Sequence, residues 1–209
     1  MFFKPEEIVK DNDPIIREKS QPVALPLSHE DKEFALKLLN HVKCSQDEEL
    51  SKKYDIRPAV GIAAVQVGVL KQMIGVYFYY DEDEDPIELA LANPKIVSSS
   101  VQQTYLKGGE GCLSVEEDHQ GYVPRSARIK VKAYDCINEK EIVFRLEGYP
   151  AIVLQHEIDH FSGSLFYDRI NKQNPWTPIE DAIVIEYLKQ LRLLFLYKNQ
   201  RKQNLVNRN

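Results

Sequence analysis

The sequence predicts an α+β fold, in which antiparallel β-sheets pack around a central helix, with an N-terminal helix before them and a C-terminal helical extension after. Three observations carry this expectation. Several segments between residues 72 and 147 have the alternation and the β-branched and aromatic content of strands. The stretch "GYPAIVLQHEIDHFSG", residues 148–163, has helical punctuation, with Pro150 suited to the first helical position and Gly163 to the stop. Ahead of the strands, Ser28 is placed to cap a helix whose Phe34, Leu38 and Val42 recur at i, i+4 and i+8.

Taken in order, residues 1–26 carry prolines at 5, 14, 22 and 26 and should cross the surface as turns and extended pieces. In the following helix Asp31 stands at the capping-box position, although Glu or Gln is preferred there. The apolar stripe of that helix reads as core packing. "QMIGVYFYY" is the first clear strand, and "IELALANPKIV" is the second. Between them "DEDEDP" is a solvated connector, or less simply a calcium loop, though it lacks the glycine-turned pattern of one. "ARIKVKAYD" and "EIVFRLEG" flank "CINEK" as an antiparallel hairpin. After the punctuated helix, "DAIVI" suits an edge strand, and Glu186 to about Lys202 is helical in propensity. No repeat or low-complexity linker interrupts the chain.

With 209 residues, 43% hydrophobic and 28% charged, the composition is that of an ordinary globular protein with a sizeable core. A net charge of −5 gives no support for general nucleic-acid binding. From Tyr187 onward, however, six Lys or Arg stand without an acid, which suits either a polyanionic partner or a solvated helix end. The N-terminal stretch has neither the basic character of a transit peptide nor the apolar core of a signal peptide. No apolar run approaches the ~20 residues of a membrane span. Cys44, Cys112 and Cys136 are too few and scattered for a disulfide framework. A cytoplasmic protein with thiols free to act as ligands is expected.

The chemistry centres on three stretches. His156 and His160 stand four residues apart on one helical face, where both imidazoles reach one divalent ion at about 2.0–2.1 Å. Glu157 projects beside such an ion, where its carboxylate takes a proton from water. H-E-x-x-H alone is short enough to be a structural accident on a buried helix. Upstream, "KGGEGCLSVEE" offers Cys112 in a glycine-rich, apolar-flanked loop, either a third ligand or a small buried hydrophobe. "RPAVGIAAVQVG" places Gln66, a neutral amide donor suited to an oxyanion, after the small residues Gly61, Ala63 and Ala64. That run also reads as tight core packing. Tyr149, Ile152 and Val153 precede the histidines on much the same face and would form an apolar wall beside the ion.

In this order, Ala59 to Gln66, Glu110 to Ser114 and His156 to His160 resemble the three motifs of peptide deformylases, G-φ-G-φ-A-A-x-Q, E-G-C-φ-S and H-E-x-x-H. "SVEEDHQGYVPR" and "FYDRINKQNPW" are similar to the form (type 2) found in Gram-positive bacteria and their mollicute relatives. The resemblance implies a deformylase domain over residues 1–185 and leaves 186–209 as a basic extension. It implies removal of formyl from N-formylmethionyl nascent peptides, with release of formate. Cys112, His156 and His160 would bind one divalent metal, iron(II) in the cell, with zinc, nickel and cobalt as substitutes. Metal-bound water would attack the formyl carbonyl, with Glu157 as general base and the Gln66 amide and Leu113 backbone N–H holding the oxyanion. Val60, Gly61, Gly111, Tyr149, Ile152 and Val153 would contact substrate. Glu110 and Arg125 would form a supporting ion pair, a surface pair worth little energetically, so that its value is positional. A monomer that engages neither membrane nor DNA is expected, with the ribosome a partner through the basic tail. Ala59 departs from the motif's first glycine, a change tolerated where φ is negative and crowding where it is positive. Two rivals compete with this reading. One is a zincin-like peptidase that does without Cys112, and the other is a silent relative that only binds formyl-peptides or the ribosome.

Overall fold

Eight strands form in the computed structural model, which describes residues 2–79 and 85–186. They are β1 (Gly61–Ala63), β2 (Met73–Phe78), β3 (Ile87–Ser99), β4 (Gln103–Leu106), β5 (Arg125–Ser126), β6 (Arg128–Asp135), β7 (Lys140–Glu147) and β8 (Ile183–Ile185). Five of them make an antiparallel sheet in the order β1-β2-β3-β6-β7. The others form a small sheet ordered β5-β4-β8, in which β4 and β8 run parallel while β4 and β5 run antiparallel. β8 is therefore the edge strand expected from "DAIVI". Most of the acidic run "DEDEDP" and the helix expected beyond Glu186 lie outside the described residues.

Alternation along the strands builds a layer on each face of the large sheet. Ile74 and Val76 of β2, Leu91 of β3 and Ile129, Val131 and Ala133 of β6 join one core. Met73, Ala90 and Ala92 join the other. The second core is closed by α1 (His29–Ser45), whose Leu38, Leu39 and Val42 lie on the sheet. As expected, Ser28 caps it, the hydroxyl accepting from the Asp31 N–H at 3.1 Å. Asp31 does not close the reciprocal half of the box; its carboxylate accepts from Ser28 and pairs with Lys71 at 2.6 Å instead. Helix and sheet touch at Gly75, where a β-carbon would lie 2.4 Å from the Leu39 backbone nitrogen. A short helix, α2 (Glu48–Tyr54), follows.

The other face is covered by α3 (Gly148–Asp159), whose Ala151, Ile152 and Leu154 are buried. It begins two residues before the expected Pro150, because Gly148, at φ 60°, turns the chain directly out of β7. His160 ends α3 and starts one 3₁₀ turn, which stops at Gly163 in the left-handed conformation, φ 69°. A side chain there would strike the Arg17 carbonyl, so the stop also seats the N-terminal segment. That segment forms two 3₁₀ turns, at Pro5–Glu7 and Pro14–Arg17. Between them the Val9 and Asp11 N–H groups donate to the Gln66 and Ser114 carbonyls, both at 2.8 Å.

Candidate active site

All three stretches singled out in the sequence converge on one cavity of about 750 Å³. "RPAVGIAAVQVG" supplies β1 and a 3₁₀ turn over Ala64–Val67. The turn points Gln66 inward, and its Oε1 accepts from the Ala63 N–H at 2.8 Å. With the amide so oriented, Nε2 donates to Cys112 Sγ and to Ser114 Oγ, each at 3.3 Å. Arg57 ties the first two stretches together, donating from Nη1 to the Cys112 and Val115 carbonyls at 3.1 and 3.0 Å.

Cys112, His156 and His160 are buried, and their ligand atoms lie within 4.8 Å of one another. Cys112 Sγ is 3.5 Å from His160 Nε2. His156 Nδ1 is 2.9 Å from Glu110 Oε2, which leaves Nε2 as its free ligand atom. One sulfur and two imidazole nitrogens, shielded from bulk water, suit a borderline-soft divalent ion with a position left open. Burial works against charge on His156, but Cys112 and Glu110 outweigh it and hold this imidazole well above its ordinary value. Burial, with the His156 and Arg125 charges, holds His160 well below.

Glu110 and Arg125 correct the picture of a surface pair. Their side chains are 3% and 1% exposed, and Arg125 meets both Glu110 oxygens, at 2.9 and 2.8 Å. Desolvation alone would raise Glu110, yet the Arg125 charge and hydrogen bonds and the His156 contact hold it at about 2. Arg125 also donates to Asp159, which Arg169 grips at 2.6 Å through each oxygen. Asp159 lies inside the H-E-x-x-H stretch yet escaped sequence reasoning, because its partners come from distant segments.

Glu157 is buried beside this cluster. Among the described residues its Oε2 has no hydrogen-bond partner, and burial pushes its carboxyl up to about 7. Val60, Gly61, Gly111, Leu113, Tyr149, Ile152 and Val153 all line the cavity. Phe78 and Leu106 extend the apolar wall, Phe78 meeting the Tyr149 ring edge-on at 5.2 Å. Phe78 reads as an ordinary strand residue in the sequence and Leu106 lies in a stretch with no reading of its own, and neither signals a pocket. His160 and Arg125 stand outside the lining. Ala59 lines the mouth without a positive φ, so its methyl strains no backbone.

The polypeptide deformylase family profile matches residues 5–176. The chain is 49% identical to Peptide deformylase 2 of Bacillus cereus, over 87% of this chain and 97% of that protein. It is 53% identical to the peptide deformylase of Halalkalibacterium halodurans, over 79% and 90%. Among solved structures, peptide deformylase from Thermus thermophilus superposes with a TM-score of 0.64 at 30% identity, covering 84% of this chain and 89% of that one. The enzyme from Thermotoga maritima does so with a TM-score of 0.60 at 32% identity, covering 78% and 96%.

Proposed function

The chain belongs to the peptide deformylase family, enzymes that remove the N-formyl group from nascent peptides, and on that premise we propose how its own residues perform the reaction. Cys112, His156 and His160 hold one divalent ion, iron(II) in the cell, with zinc, nickel and cobalt as substitutes. When bound, it supplies a Lewis acid and an acidified water. Residues 1–185 form the catalytic domain.

The methionine side chain of the substrate enters the apolar wall of Tyr149, Ile152 and Val153, with Phe78 and Leu106 beside it. Val60, Gly61 and Gly111 flank the peptide. Glu157 takes a proton from water at Oε2 as the oxygen attacks the formyl carbon, then gives it to the leaving amine, so formate and a free amino terminus result. A carboxyl lifted by burial to about 7 suits both transfers. The Gln66 amide turns a hydrogen from its present acceptors to the developing oxyanion, and the Leu113 N–H is the second donor. Glu110 and Arg125 set the orientation of His156.

The observation that carries this reading is the buried, unpartnered Glu157 Oε2 next to a Cys/His/His cluster in one cavity. The ribosome is the partner that delivers the substrate, and the acid-free basic tail after Glu186 favours contact with its RNA. Anaerobic protein loaded with iron(II) should release formate from formyl-Met-Ala-Ser and leave the peptide bonds intact. Cleavage of a peptide bond without formate would replace this function with a peptidase.

A further inference from the structure

The chain's negative total hides a basic sheet face. α1 covers its side of the large sheet over β1, β2 and the start of β3, and leaves the end of β3, β6 and β7 open. Residues directly paired across a ladder share a face. On the open part Lys95 stands opposite Lys132, and Lys130 stands opposite Arg145. Arg128 follows along β6, on the same face by alternation. Directly opposed like charges destabilise a sheet, so two such pairs in succession oppose the fold they belong to.

Little in the protein relieves them. Lys132 pairs with Glu141 at 3.1 Å, and Arg128 donates to Gln102 at 3.2 Å. Among the described residues, the side chains of Lys95, Lys130 and Arg145 have no hydrogen bond or ion pair. Glu141 and Glu147 are the acids that share this face, against five cations, in a chain whose net charge is −5.

We propose that this face docks on an RNA phosphate backbone. The proposal rests on the reading that the substrate is a nascent peptide, which is presented on an RNA-rich particle. Their backbone positions repeat about every 4.8 Å across strands and about every 6.8 Å along them, a grid from which long cationic side chains can meet a run of phosphates without reading bases. The exposed apolar side chains in β3 and β7 beside the grid, and just beyond β3, are the short Val97, Val143 and Val101, which give no aromatic or leucine wedge for a membrane. The phosphate charges offset the repulsion that the isolated fold carries, and binding also releases counterions from the RNA.

The test uses the full chain and a fluorescein-labelled RNA duplex, with anisotropy followed between about 50 and 200 mM salt. Lys95→Glu/Lys130→Glu/Arg145→Glu should bind tenfold or more weaker, with a salt slope shallower by about 2 to 3, while formate release from formyl-Met-Ala-Ser stays unchanged. The same loss should appear in a background where Lys189, Arg192, Lys198, Arg201, Lys202 and Arg208 are serine, which separates the face from the tail. Lys130→Glu alone, opposite Arg145, should raise the thermal midpoint. Unchanged RNA affinity and slope in the triple variant would overturn the proposal. So would equal binding to vesicles containing phosphatidylglycerol or equal competition by polyglutamate. Formate release by the wild type is read in parallel, so failure of the substrate reading shows as absent turnover and failure of the docking face as unchanged binding.

Discussion

The carboxylate of Glu157 occupies the space that a β-carbon on residue 61 would need: at Gly61 that atom would lie 2.4 Å from Glu157 Oε1 and 2.8 Å from Cδ. Gly61 has no positive φ, so what excludes a side chain is the neighbour and not the backbone. Gly61→Ala should therefore move the carboxylate by close to an ångström while β1 keeps its pairing. Turnover of formyl-Met-Ala-Ser should fall about 100-fold, with a thermal midpoint close to that of the wild type. Full activity would mean that Glu157 does not work from the position seen.

Arg125 neutralises two carboxylates at once, Glu110 and Asp159, at 1% side-chain exposure. Arg125→Ala should cost about 3 to 5 kcal/mol in urea unfolding, because it leaves Glu110 buried and charged with His156 as its remaining partner. It should also weaken metal retention through the freed His156 ring. A loss below about 1 kcal/mol would show the pair to be as weak as a surface bridge.

His41 provides a pH signature remote from the cavity. Its Nδ1 accepts the Phe3 N–H at 3.3 Å, its Nε2 has no partner, and burial lowers its pKa to about 4. The unfolded chain takes up this proton near pH 6.5, and the folded chain does so only near 4. His41 therefore costs nothing above the unfolded value, and stability is lost as pH falls from about 6.5 to 4, by roughly 3 kcal/mol in all. Urea unfolding at pH 7.5 and 4.5 should show a smaller acid loss in His41→Leu than in the wild type. Equal losses would refute the assignment.

Metal dependence has a readout apart from turnover. Chelation should abolish formate release and lower the thermal midpoint, and iron(II) restored anaerobically should return both, since an ion bound only by the fold stabilises it. Cys112→Ser should reduce the metal-to-protein ratio, because a hydroxyl is a poorer ligand for a soft-leaning ion than a thiolate. A full metal complement in that variant would favour a site built without Cys112.

The strands β2, β3, β6 and β7 were legible because alternation and β-branched content are local properties. Ser28 and Gly163 were legible because a cap and a stop need specific residue types. Asp159 and Arg57 were not, since each acts through groups brought near only by the fold. The parallel pairing of β4 with β8 joins segments some eighty residues apart, and nothing in either announces the other. Gly75 carries no signal of its own within "QMIGVYFYY", yet it is where α1 rests on the sheet. The Glu110–Arg125 pair was named from its motif, and only the packing shows it to be buried. The basic sheet face was invisible for a related reason: pairing, not sequence order, sets Lys95 against Lys132 and Lys130 against Arg145.

The central claim is that Glu157 moves the protons of formamide hydrolysis beside a metal held by Cys112, His156 and His160. The most direct measurement compares Glu157→Gln with wild type, both loaded anaerobically with iron(II), for formate release and for bound metal. A full metal complement is expected in Glu157→Gln, with formate release lowered by about two to four orders of magnitude. Formate release within a few-fold of wild type at equal metal content would contradict it.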